Sequence, residues 1–107
     1  MDAAAEELAD RLRALLTMGD GVEERRMFGT RAFLAEGRIL AAARRGGVLL
    51  VRVPPGEEEA LLARRGVSRA VMGRQTMSAR WLDVAAEIIA DDEQLMFWLD
   101  AGRAGSA

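Results

Sequence analysis

The sequence contains no cysteine, histidine, lysine, tyrosine or asparagine. Without cysteine there is no disulfide framework, and nothing in the composition points to export. With histidine also missing, the usual transition-metal ligands are gone, so neither a metal nor another cofactor is expected. Cys–His and Ser–His–Asp mechanisms are excluded, as are a Ser–Lys dyad and a lysine Schiff base. Carboxylates, arginines and the hydroxyls of Thr17, Thr30, Ser68, Thr76, Ser78 and Ser106 remain. That inventory is poor for acid–base chemistry at neutral pH, and the chain reads as non-enzymatic. Apolar runs fall well short of the ~20 residues needed to span a bilayer. The acidic opening "MDAAAEELAD" is unlike a signal peptide, so a cytoplasmic protein is expected. Its length suits one domain over residues 1–107 with a core of its own.

What is present is charge of both signs in near balance. All 15 basic side chains are arginine, against 17 carboxylates, for a net charge of −2. An Ala- and Arg-rich, Lys-free composition fits GC-rich coding, which gives the arginine excess a mutational origin as readily as a functional one.

Residues 3–18 place Ala5, Leu8, Leu12, Leu15 and Leu16 at helical spacing. Asp2 suits the start as a cap and Gly19 the stop. From 22 to 53 the period shortens, and four extended segments follow: "VEERRMF", "RAFLAE", "RILAAARR" and "GVLLVRV". Glu36-Gly37 and Gly46-Gly47 sit where hairpin turns need positive φ, which predicts an antiparallel meander. Pro54-Pro55 stops it. "PGEEEALLARRG" reads as a helix that is acidic at its start and basic at its end, with Leu61 and Leu62 inward and Gly66 as the stop. Residues 67–72 and 79–84 are expected to be strands joined by the polar loop "GRQTMS". After "AAEIIADD", Asp91 caps a last helix with the stripe Leu95, Trp98 and Leu99. That helix is expected to end near Gly102, with a frayed tail. The fold class is α+β: helix, antiparallel meander, helix, two strands, helix.

The stretch "RRMFGT" has two readings. Met27 and Phe28 could line a ligand site beside two cations, or they could plug a core where Gly29 allows a turn. Arg25 and Arg26 point to opposite faces of a strand and form no single clamp, which favours the second reading. Phe28, Leu50, Val51, Trp81 and Trp98 are expected in the core. Leu50 and Val51 alternate in direction, so burial of both requires helices on both faces of the meander. The acidic runs Glu57–Glu59 and Asp91–Glu93 stand at helix starts, where capping and the dipole favour them. "GRQTMS" lacks the lysine of a Walker motif, and "GTRAFLAEG" lacks dinucleotide spacing. Of three arginine pairs, only Arg44-Arg45 has no acid close in sequence, so it is the candidate anion site. An acidic chain with five aromatic residues offers little to DNA or to stacked bases.

Taken in order, the first helix, "RMFG", "LLVRV", "RQTMSARWLDV" and "DDEQLMFWLDAG" resemble the TfoX/Sxy N-terminal domain family from about residue 5 to 103. Met27-Phe28-Gly29 matches its most recognisable motif. Arg74, Met77, Trp81 and Trp98 fall where its second motif and final helix carry similar residues. Thr30 stands where a second glycine is common, and Met77 and Trp81 are more widely spaced than in many members. The resemblance implies an α+β domain, here stand-alone, in a family whose named members regulate competence for DNA uptake. The expectation is a small domain acting through contacts with a protein partner in a regulatory role, with a homodimer compatible. The alternative is an arginine-mediated binder of nucleic acid or another polyanion.

Overall fold

The computed structural model describes residues 2–16, 21–27 and 29–106. Helix α1 (Ala3–Leu16) packs Ala5, Leu8, Ala9, Leu12 and Leu16 inward. Asp2 caps it as expected: its carboxylate accepts from Ala5 N–H at 2.8 Å and from Gly46 N–H at 2.9 Å. One side chain thereby ties the helix start to a turn of the sheet. Leu15, expected on the buried stripe, is 39% exposed. Ala9, on the opposite margin of the stripe, is buried instead, so the covered face of α1 is rotated away from Leu15. The predicted stop at Gly19 lies outside the described residues.

Strands β1 (Val22–Met27), β2 (Thr30–Ala35), β3 (Arg38–Arg44) and β4 (Val48–Arg52) form the meander. Glu36 (φ 52°) and Gly37 (φ 80°) make the tight turn their sequence predicts. A 3-10 turn at Arg45–Gly47 joins β3 to β4. Between β2 and β3 the register shifts, Phe33 opposing Ala41 and Leu34 opposing Ile39. Leu40 is the extra residue of this bulge. It and Ala41 consequently both enter the same core.

The second half departs further from expectation. Helix α2 covers only Glu58–Leu62, with Leu61 buried, so Arg64 and Arg65 lie beyond its end. Strand β5 (Val67–Arg69) pairs with β8 (Trp81–Val84) at the edge of the main sheet. The residues between them are not one strand and a loop. β6 (Val71–Met72) and β7 (Gln75–Thr76) form a separate two-stranded sheet. Ala70 divides β5 from β6, its N–H bonding Trp81 O and its carbonyl accepting from Met77 N–H. Helix α3 (Ala86–Ile89) occupies part of "AAEIIADD", and Asp91 accepts from Glu93 N–H at 2.8 Å to cap α4 (Asp92–Ser106).

Helix α4 does not stop near Gly102, and its last turn is docked. A Cβ at Gly102 would lie 2.4 Å from Leu40 O, and one at Gly105 would lie 1.8 Å from Arg52 O. Only glycine permits this approach of helix to sheet. Arg80 fixes the end, donating to Gly105 O at 2.7 Å and to Val53 O at 3.0 Å.

The sheet runs β1-β2-β3-β4-β8-β5, and every pair is antiparallel. α1 and α4 cover one face over Leu12, Phe33, Leu49, Val51, Leu82, Trp98 and their neighbours. On the other face Ala32, Leu34, Ala42, Leu50 and Ala70 form a second, smaller cluster. Leu50 and Val51 are thus both buried, as expected. Among the described residues this face is packed by Ala70 and Met77, which flank the β6–β7 hairpin, together with Met27, Ile39 and Trp81, and by no helix residue. Among the described residues, no helix is long and apolar enough to cross a membrane.

Candidate functional site

The hairpin-covered face collects most of the residues the sequence singles out. Met27, at the end of β1, and Met77 and Trp81, around β7 and β8, all pack against its small cluster. The cluster is built from alanines as much as from large residues, so the sheet surface there is shallow. Flexible methionines suit such a surface because they fill irregular gaps. Trp81 is half-buried, and the Arg52 guanidinium lies 5.8 Å from its ring centre.

Two arginines hold the excursion down. Arg69 donates to Met77 O at 2.6 Å. Arg44 donates to Val71 O at 2.7 Å and to both carboxylate oxygens of Asp83 at 2.9 and 3.0 Å. Arg44 and Asp83 are each about four-fifths buried in their side chains. Burial pushes the Asp83 carboxyl above the ordinary carboxylate range, and the Arg44 charge and hydrogen bonds oppose that rise. Asp83 is therefore anchored and not a free base. Sequence reasoning missed it because the partners are 39 residues apart and meet only across β3, β4 and β8.

Arg44 is thus not free to act as half of an anion clamp, since its charge is already met. Arg45, in the adjoining turn, is exposed. The two arginines border an open cavity of about 480 Å³ with Gly29, Thr30 and Gly73. Gly29 (φ 75°) and Gly73 (φ 62°) both need positive φ. A Cβ on either would meet nothing within 4 Å, so the requirement is conformational. Thr30 caps the first turn through its hydroxyl, which donates to Met27 O at 2.6 Å. Arg74 follows Gly73 in the hairpin turn and is exposed. Phe28 lies outside the described residues.

Beside this cavity the hairpin carries Val71 and Met72, which are 42% and 39% exposed. The sequence flags neither, because a two-residue strand is too short to show alternation. Trp98 belongs elsewhere, fully buried in the helix-side core. On that side a second open cavity, of about 420 Å³, lies between Arg64, Arg65, Glu87, Asp91 and Gln94. The Arg64 guanidinium stacks 4.1 Å from the Phe97 ring centre. Among the described residues no group of three or more acids could hold a metal ion.

Comparison with curated proteins and with solved structures gives no match. A family model, the TfoX N-terminal domain, matches residues 14–105. The matched region takes in the last turn of α1, every strand of both sheets and nearly all of α4. With the α+β architecture and the hairpin-covered face inside that match, the chain belongs to the TfoX N-terminal domain family.

Proposed function

We propose that this domain works by binding a protein partner through its hairpin-covered face, in a regulatory role and without catalysing a reaction. The observation that carries the reading is the β6–β7 hairpin itself. A two-stranded unit standing alone is marginal in water. This one is fastened to the sheet by Arg44 and Arg69, yet it turns Val71 and Met72 to solvent. Fastening an apolar tip in place fits recognition better than it fits packing. Family membership supports a regulatory domain, and the chemistry available is consistent with that. Asp83, a carboxyl lifted by burial, is held on both oxygens by Arg44.

The test compares the wild type with a Val71→Ser/Met72→Ser variant. Affinity capture from the native host should retain a specific protein on the wild type and lose it on the variant. The variant's thermal midpoint should stay within a few degrees, since both side chains are substantially exposed. Equal capture by both forms would remove the hairpin from the reading. The polyanion alternative rests on Arg45 and Arg74, both exposed beside the larger cavity. Because Arg44 is neutralised there, duplex DNA at physiological salt should bind no tighter than about 10⁻⁵ M, in the non-specific range. Sub-micromolar, sequence-dependent binding would give that alternative first place.

A further inference from the structure

The main sheet has two edges, and they differ. β5 is three residues long, whereas β1 is six residues long, and among the described residues nothing pairs with its outer side. Such an edge offers a row of N–H and C=O groups to another strand. Its side chains determine which strand can use it. Glu23 and Arg25 lie opposite Leu34 and Ala32, on the hairpin-covered face. Glu24 lies opposite Phe33, on the helix-covered face, and Arg26 shares that face by alternation. Within the strand Arg25 already donates to Glu23 at 2.7 Å. Glu24 is held by Arg13 at 2.7 Å and Arg31 at 2.8 Å, and its carboxyl is lowered to about 2, chiefly by the Arg13 hydrogen bond. Arg26 is exposed.

We propose that β1 is the surface through which two copies of this chain associate, antiparallel about a two-fold axis at Glu24. Directly opposed residues of an antiparallel pair share a face, and a two-fold axis makes every contact occur twice. With Glu24 on the axis, Glu23 meets the second copy's Arg25, and Arg25 meets its Glu23. Those four side chains form a square in which each neighbour, along the strand or across it, carries the opposite sign. On the other face the two Glu24 carboxylates meet, each already gripped by Arg13 and Arg31. Arg26 then lies diagonally across from the second copy's Glu24, within reach of a long side chain. Moving the axis to Arg25 would set Glu24 against the second copy's Arg26 but oppose Arg25 to itself, whereas the first register places its like-charge pair at Glu24, whose charge Arg13 and Arg31 already meet, and so is favoured.

The occupant follows from that self-complementarity. Edges that only need to repel other strands are served by charge of a single sign. "EERR" instead reverses sign along the strand, so its own antiparallel copy is the match.

Sedimentation velocity tests this at concentrations up to about 1 mM, because an edge contact of this length is small beside stable interfaces. The wild type should form a concentration-dependent dimer. Glu23→Arg or Arg25→Glu alone should weaken it by about tenfold or more, since each reversal counts twice across the axis. An equimolar mixture of those two variants should associate again, because an all-positive face then meets an all-negative one. The double variant Glu23→Arg/Arg25→Glu should return to within about threefold of the wild type, opposite signs again facing each other. Circular dichroism should show all three variants folded, as both side chains are exposed. A wild type that stays monomeric throughout, a dimer indifferent to single reversals, or a mixture that fails to associate would each overturn the proposal.

Discussion

The two faces of one sheet are built by opposite means. On the helix-covered face, α1 and α4 bring Leu12, Trp98 and Leu99 against Phe33, Leu49 and Leu82, all fully buried. Glycines at 102 and 105 let the helix backbone touch strand carbonyls. On the hairpin-covered face, alanines alternate with Leu34 and Leu50, which keep 4% of their surface exposed. The cover there is a short excursion held by guanidinium bonds to backbone carbonyls. Apolar packing secures the first face, and polar fasteners secure the second. A cover held by a few directional bonds can present side chains outward, which a tightly packed helix interface cannot do.

Substitutions can sharpen that contrast. Trp98→Ala should cost roughly 3–5 kcal/mol, whereas Leu50→Ala on the opposite face should fall near the lower end of the ~2–5 kcal/mol range for aliphatic truncation. Denaturant unfolding of both variants would measure this, and equal losses would erase the distinction. Gly105→Ala should cost about 1–3 kcal/mol through forced separation of α4 from β4. That loss is unusual for adding one methyl group in a helix, where alanine normally improves on glycine. A stabilised Gly105→Ala would show that the helix end is not docked as described.

On the second face, Arg44→Ala should cost about 1–3 kcal/mol, because it leaves Asp83 without its counter-charge and releases Val71. Asp83→Asn should cost less than about 1 kcal/mol, since it removes a charge that burial already disfavours. If the two losses were reversed in size, the hairpin would depend on Asp83 and not on Arg44. The two faces should also differ in the sign of their pH dependence. Glu24, on the helix-covered side, has its carboxyl lowered from 4.5 to about 2. Its contribution is complete above the unfolded value and is lost as pH falls from about 4.5 through 2. Asp83 is raised from 3.8, so the native state takes up its proton first. Its contribution to stability therefore grows as pH falls through the raised value toward 3.8. Carbon-detected NMR titration of the two carboxyls would report both, and parallel shifts would contradict the assignment.

What was legible in the sequence follows from distance along the chain. Asp2 and Asp91 cap helices that begin within a few residues of them, and Glu36-Gly37 makes its turn locally. Each of these is governed by neighbours, so residue type suffices. The Arg44–Asp83 bond depends on three strands being in register, and no local pattern announces it. The docking of Gly102 and Gly105 was equally hidden. Glycine near a helix end usually signals a stop, and only the bulge at Leu40 and the path of β4 turn these glycines into contact points. Leu15 shows the converse limit. Helical spacing puts it on the margin of the apolar stripe, and whether a margin is covered depends on how the sheet lies. The cavity at Gly29 was half visible, since its residues were flagged separately while their convergence required the hairpin to fold back.

The burial of β4 on both sides has a further consequence. A strand whose two faces carry the same chemistry cannot read its own alignment. Sliding β4 by one residue would exchange Leu50 with Leu49 and Val51 between the two cores, and no apolar side chain would move into water. Hydrophobicity alone is nearly blind to that error. The discrimination falls to the margins: Arg44 reaching Asp83 across the strand, Gly47 at positive φ close against Ala4, and Arg52 over Trp81. These few contacts act as alignment marks for an interior that has none. Their loss should show first as heterogeneity in the folded ensemble, with peak doubling along β4, before it shows as a lower melting point.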